Sequence, residues 1–291
     1  MMQNWITAIR PKTLFASLSP VLLGLALSFH YQRNLHILIA TLTLLCAVGL
    51  QISSNLANDY LDFLRWIDNE LRMGPLRATQ AKLISPKEMK RALIFSLGLS
   101  FIMGIYLMAV GGWPIIIVGM LALYFAYGYT GGPFPLSYNA LGEISAFIFF
   151  GLIAVCGTFF LQTKTLNLHT VFLGISAGSI AATILAINNL RDMKSDSLTH
   201  KKTIALIFGE LFQRRLSLLL ISTSVLMIII NALILKNPLA LFPLFIPYFF
   251  RSHWFYLYSG AVNETLNLTL AKTAQYFFMY SFTVSLTIVF L

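Results

Sequence analysis

The sequence predicts an all-α fold: a polytopic membrane protein whose nine transmembrane helices form two parallel four-helix repeats plus one further helix. Three observations predict it. Apolar residues make up 58% of the 291-residue chain and charged residues only 10%, at a mean hydropathy of +0.79; soluble domains are not built this way. The apolar runs reach the roughly 20 residues that a helix needs to cross a bilayer. With nine crossings, every one of the 20 Lys and Arg except Arg33, Lys164 and Lys236 falls on one side, which is the positive-inside distribution of cytoplasmic loops.

The spans fall at 13–30, 36–57, 92–111, 113–130, 141–161, 170–188, 216–235, 239–257 and 272–291. The first follows Arg10 and Lys12 as a leader peptide would, but no small-residue cleavage site follows it, so it reads as a retained first helix. Ser85-Pro86-Lys87-Glu88 reads as the start of a local helix that leads directly into the third span, with Ser as cap, Pro at the first helical position and Glu closing a capping box. Span 239–257 contains Pro243, Pro247, Arg251 and His253, so it is expected to be kinked or short. No hydrophilic stretch is long enough for a second domain, and residues 1–291 read as one membrane-embedded unit. Cys46 and Cys156 lie inside spans and read as packed thiols rather than a disulfide or metal pair. The five His are scattered, without ligand spacing. Basic loops account for most of the +10 net charge, so no nucleic-acid partner is needed to explain it.

The acidic residues carry the functional signal. Six of the ten lie in two segments: Asn55 to Glu70, with Asn58, Asp59, Asp62 and Asp68, and Asn188 to Asp196, with Asp192. Asn55, Asp59 and Asp62 stand at i, i+4 and i+7, one stripe of a helix; Asn188, Asp192 and Asp196 nearly repeat it. The segments follow the second and sixth spans, which run the same way, so a parallel repeat puts them in equivalent places. Solvated, capped helix ends would also explain either segment alone. Both together, on the cytoplasmic side, point to divalent-cation chemistry. Hard oxygen ligands suit Mg2+, which takes its remaining ligands from water and substrate phosphates. Two such clusters facing each other would hold metal ions on both sides of one diphosphate. Lys12, Arg72, Arg77, Arg191, Lys201 and Lys202 are candidates for the phosphate-binding wall, set against the general basic bias of these loops. Gly131, Gly132, Pro133 and Pro135 read as a tight turn, beside which Tyr129, Tyr138 and Glu143 are candidates for an acceptor pocket. Tyr60 offers an aromatic face to a passing cation.

These residues resemble the intramembrane prenyltransferases of the UbiA superfamily, and within it the branch that prenylates 1,4-dihydroxy-2-naphthoate. The resemblance runs through nearly the whole chain: Arg10-Pro-Lys12-Thr-Leu, Asn55-Leu-Ala-Asn58-Asp59-Tyr60, Gly74-Pro75-Leu76-Arg77, Tyr129-Thr-Gly-Gly-Pro-Phe-Pro-Leu, Leu141-Gly-Glu143, Asn188-Asn189-Leu-Arg191-Asp192, and Lys201 before Thr203. It implies a nine-helix bundle in the inner membrane, with a central cavity open to the cytoplasm and to lipid. Asn55, Asp59 and Asp62 would hold one metal–diphosphate face and Asp192 and Asp196 the other. Lys12, Asn58, Tyr60, Arg77, Tyr129, Asn188, Arg191 and Lys201 would bind substrates. The implied reaction is Mg2+-dependent transfer of a polyprenyl group from polyprenyl diphosphate to the naphthoate with loss of its carboxylate, giving demethylmenaquinone. Leu61 and Trp66 replace a usual Gly, as does His200, and Asn69, Glu70 and Leu71 also depart from the pattern. An acceptor such as 4-hydroxybenzoate is the competing expectation within the family. A small-molecule transporter is the competing class, but it calls for charges near the bilayer midplane rather than at helix ends.

Overall fold

Glycine, proline and capping side chains set where the helices begin. The structure is a computed structural model that describes residues 2–65, 73–75 and 77–291. Trp66, Asp68, Asn69, Glu70, Leu71, Arg72 and Leu76, named above, lie outside the described residues. A short helix, α1 (Met2–Ile9), precedes the first span. Arg10 then takes a left-handed conformation (φ 54°), and α2 (Pro11–Gln32) starts with Pro at its first turn. α3 (Ile37–Leu64) follows. α4 (Pro86–Gly111) carries the expected capping box: Ser85 Oγ accepts from the Glu88 amide, and Glu88 accepts from the Ser85 amide. Gly112 (φ 68°) separates α4 from α5 (Trp113–Gly128).

The fifth span is continuous but not uniform. α6 (Gly142–Phe147) passes through a π-helical turn at Ile148–Ile153 into α7 (Ala154–Thr163). α8 (Leu168–Arg191) starts at Asn167, whose side chain accepts from the Thr170 amide. After two short helices, α9 (Met193–Asp196) and α10 (Ile204–Phe208), comes α11 (Glu210–Leu235). The eighth span is the irregular one. It is a 3₁₀ segment at Pro238–Phe245 joined to α12 (Ile246–Phe249), then a break at Phe250 and α13 (Arg251–Ser259). Pro243 and Pro247 cannot donate to an α-helical ladder, and the stretch from Pro238 to Phe249 covers about 22 Å, short of a ~30 Å hydrocarbon core. α14 (Thr265–Phe290) closes the chain. Among the described residues, seven helices are long and apolar enough to cross a membrane by length and composition, and Trp113–Gly128 and Pro238–Phe249 are shorter apolar helices.

α8 lies at the centre, with 72% of its most apolar window buried. It shares a cluster with α2, α7, α11 and α14 that includes Leu27, Phe159, Ile180, Ile228, Tyr280 and Val284. Lipid tails are as apolar as leucine, so close packing and interhelical hydrogen bonds must hold these helices together. Both are present. Gly151 of the π turn meets Gly174 and Gly178 of α8 so closely that a Cβ on Gly178 would stand 2.5 Å from the Phe147 carbonyl oxygen. His169 Nε2 lies 2.6 Å from Asn231 Oδ1, and the hydroxyls of Tyr276 and Ser224 are 3.0 Å apart. Cys46 and Cys156 are free thiols.

Because the approach is backbone to backbone, Gly178→Leu should force α6–α7 off α8. The expected cost is about 1–3 kcal/mol or more, read as a lower thermal midpoint of the detergent-solubilised protein. Gly98→Ala, with no atom near its added methyl, should leave the midpoint unchanged or raise it slightly.

Candidate active site

Both Asn/Asp segments open onto one cavity of about 450 Å³. Its polar end is built by Asn55, Asn58 and Asp62 of α3, Arg77, and Asn188, Asp192, Asp196 and Lys201 from the end of α8 and beyond. Its apolar part is lined by residues such as Leu50, Leu107, Ile115, Phe149 and Leu161. α3 contributes wall from Asp62 back to Thr43, about 28 Å of helix at 1.5 Å per residue. The space therefore joins a charged head to a long greasy channel.

α3 presents the first cluster because its stripe faces α2 and the 77–79 turn. Asp62 Oδ2 is 2.5 Å from Arg77 Nη1, and its Oδ1 accepts from the Tyr138 hydroxyl at 2.8 Å. Arg77 also donates to the Asn58 carbonyl at 2.6 Å. Thr130 donates to Asn58 Oδ1. Asn55 clamps the junction of α1 and α2: its Nδ2 donates to the Ile9 carbonyl and to Thr13 Oγ1, both at 2.8 Å, while Oδ1 accepts from Gln51 at 3.2 Å. Asp59 points elsewhere. Its two oxygens accept the amides of Ala78 and Thr79 at 2.9 and 3.0 Å, so it holds the turn that carries Arg77 and does not line the cavity.

The second cluster bends rather than continuing as a straight stripe. α8 ends at Arg191, and Asp192 leaves helical geometry (φ −89°, ψ 5°) before α9. The i→i−4 amide bonds nevertheless run through, from Asp192 to Asn188 and from Asp196 to Asp192, so all three side chains stay on the cavity. Arg191 is buried and grips Asp192 through two nitrogens, Nε to Oδ1 at 2.8 Å and Nη2 to Oδ2 at 2.5 Å, and also donates to Asn188 Oδ1 and Asn267 Oδ1. Lys201 Nζ lies 3.2 Å from Asp196 Oδ1. Burial raises the Asp196 pKa above the ordinary carboxylate value; Lys201 opposes the shift and Asp192 adds to it. Burial likewise pushes the Tyr138 phenol up, and the Asp62 carboxylate beside it pushes in the same direction.

The loops of the two halves are stitched together at this end. Lys202 donates its amide to the Tyr138 carbonyl, and Ala140 returns a bond to the Lys202 carbonyl. Asn267 of α14 accepts from Arg191 and donates to the Met73 carbonyl at 2.8 Å. Gly132 (φ 75°) makes the turn after α5 that the Gly-Gly-Pro stretch foretold.

Of the residues named from sequence, Asn55, Asn58, Asp62, Arg77, Tyr129, Asn188, Asp192, Asp196 and Lys201 line the cavity. Lys12 is exposed and Tyr60 packs into the Leu56, Met89 and Leu93 cluster; neither is part of the wall. Arg10 and Asn189, not singled out from sequence as site residues, do line it. For Arg10 the signal was its place before Pro11, where the chain turns into α2. Among the described residues no three His, Cys, Asp or Glu form a group able to enclose a metal by themselves. Carboxylate and amide oxygens spread over two facing clusters suit an ion that takes the rest of its shell from water and phosphate.

Comparison with known proteins follows the same line. The chain is 39% identical over 219 residues to 1,4-dihydroxy-2-naphthoate octaprenyltransferase of Escherichia coli (strain K12), covering 73% of this chain and 71% of that one. It is 37% identical over 232 residues to the protein of the same description from Haemophilus influenzae, covering 77% and 75%. Among solved structures, a UbiA homolog from Aeropyrum pernix K1 matches with TM-score 0.70 at 16% identity, over 96% of this chain and 98% of that one. A UbiA homolog from Archaeoglobus fulgidus bound to GPP and Mg2+ matches with TM-score 0.67 at 17% identity, over 99% and 100%. The model of the UbiA prenyltransferase family matches residues 17–282, and the chain belongs to that family.

Proposed function

We propose that this protein transfers a polyprenyl group from polyprenyl diphosphate to 1,4-dihydroxy-2-naphthoate, at a Mg2+-dependent site facing the cytoplasm in the inner membrane. The observation that carries the reading is that both Asn/Asp clusters line one cavity with a polar head and an apolar channel. The relatives at 35–39% identity described as octaprenyltransferases for this acceptor support the substrate pair. The basic loops support the orientation.

The chain's own groups divide the work. Asp62, Asp192 and Asp196, with the amide oxygens of Asn55 and Asn188, would hold the metal ions. Bound there, magnesium supplies positive charge to the leaving diphosphate. Arg77, Lys201 and Arg10 add fixed cations at the same end, where charge develops as the allylic carbon–oxygen bond breaks and its electron pair leaves with the diphosphate. The apolar channel takes the prenyl tail and keeps water from the allylic cation. A carbon–carbon bond then forms to the electron-rich ring. The carboxylate departs as CO2, its electron pair restoring aromaticity, and the product is the quinol form of demethylmenaquinone. Asp59 and Arg191 act from behind: one anchors the Arg77 turn, the other fixes the Asp192 carboxylate.

Three outcomes are expected. Membranes containing the protein, given polyprenyl diphosphate and the naphthoate, should yield a decarboxylated prenyl product by mass spectrometry; EDTA should abolish it and added Mg2+ restore it. A product retaining the carboxylate would overturn the acceptor assignment. Asp62→Asn and Asp192→Asn should each lower turnover at least about 100-fold while the protein stays monodisperse in detergent; full activity in both would sink the reading. Arg10→Ala should raise KM for the diphosphate roughly tenfold or more, whereas Lys12→Ala should change it less than about threefold.

A further inference from the structure

Beneath the second cluster lies a buried carboxylate that the reaction as described does not use. Glu143, in the first turn of α6, is 4% exposed. Its Oε1 accepts from Asn189 Nδ2 of α8 at 2.9 Å and from Gln213 Nε2 of α11 at 2.8 Å. Gln213 is itself fully buried, and it also donates to the Ala186 carbonyl at 3.1 Å. Glu143 Oε2 is buried and has no hydrogen-bond partner among the described residues. Three helices thus converge on a carboxylate in which one oxygen is bonded twice and the other not at all. Such a group is costly to bury, and an apolar trio would pack as well. Stability alone gives no reason for it.

The network does settle one thing, the orientation of Asn189. Glu143 Oε1 accepts from the amide nitrogens of both Asn189 and Gln213, so the NH2 group of Asn189 is turned toward Glu143. Its carbonyl oxygen, Oδ1, is then left without a bond from any described residue, on a side chain that forms part of the cavity wall. Asn189 stands between Asn188 and Asp192 on the cavity wall, about 4.5 Å of helix before Asp192, so a ring bonded to it would lie next to a diphosphate held at Asp192. Tyr129, whose hydroxyl sits beside Gly142, lines the same cavity.

Building on the function proposed above, we infer that Asn189 Oδ1 accepts a hydrogen bond from a ring hydroxyl of the aromatic acceptor, and that Glu143 and Gln213 are positioning residues that lock the amide in that orientation. A wall that offers an acceptor atom selects a hydroxylated ring, because an analogue without the hydroxyl leaves Oδ1 buried and unpaired.

The test compares 1-hydroxy-2-naphthoate and 4-hydroxy-2-naphthoate, each lacking one hydroxyl, with the dihydroxy acid as competitors of prenyl transfer. In the wild-type protein, loss of one of the two hydroxyls should weaken inhibition roughly tenfold. In Asn189→Leu that penalty should shrink to less than about twofold, with KM for the polyprenyl diphosphate unchanged. Asn189→Asp alone, which sets a carboxylate against Glu143, should bind the acceptor poorly. Combining it with Glu143→Gln reverses the donor and acceptor of the buried bond and should restore the hydroxyl preference. A purely structural network would not recover selectivity in this way, and it would not remove the penalty for one hydroxyl only. An unchanged penalty in Asn189→Leu, or no rescue by the swapped pair, overturns the inference while leaving the prenyl-transfer reading standing. No transfer to the naphthoate by the wild-type protein overturns that reading, and this inference with it.

Discussion

Each acid that lines the cavity is held by a cation from its own half of the chain: Asp62 by Arg77, Asp192 by Arg191, Asp196 by Lys201. The rest of the structure depends on that pairing. Carboxylates at the end of an apolar bundle lose their hydration, and without partners they would take up protons or drive the site open. Pairing within each half leaves neither cluster dependent on the other for its neutralising charge. Paired charges can also be exchanged: a metal–diphosphate complex brings both signs, and the existing cations can turn toward phosphate as the acids turn toward metal.

The arrangement separates groups that face substrate from groups that hold them. Asp62, Asp196 and Lys201 are in the wall, while Asp59 spends both oxygens on the amides of Ala78 and Thr79 and Arg191 spends its guanidinium on Asp192, Asn188 and Asn267. Rigidity at this end is purchased by such contacts, for the carboxylates themselves sit where helices α3 and α8 stop. For metal ligation by Asp59, its carboxylate would have to leave those two amides, and the turn bearing Arg77 would loosen with it.

Much of this was legible in the chain. Apolar runs of crossing length mark the spans because only helices satisfy backbone groups in lipid, and the Ser85–Glu88 cap is a local pattern that needs no tertiary knowledge. The convergence of two distant Asn/Asp stripes was also readable, from their spacing and equivalent positions. What stayed hidden was set by partners far along the sequence. Nothing near Asp59 says that its oxygens meet a turn 19 and 20 residues later, so its spacing of four from Asn55 and three from Asp62 placed it on their face. Glu143 could be named as a pocket candidate, but its bonds reach residues 46 and 70 positions away. The π turn at Ile148–Ile153 answers the close approach of Gly151 to α8, and that approach has no signature in composition. Lys12 and Arg10 flank the same proline, and only the left-handed turn at Arg10 decides which of them reaches the cavity.

The amide of Asn267 makes α14 part of the polar end of the cavity. Its two ends join Arg191 of the second half to the Met73 carbonyl beside the first. A displacement of α14 would therefore pull at once on the guanidinium that grips Asp192 and on the loop ahead of Arg77. Lateral pressure on that one helix thus has a mechanical route to the head of the cavity.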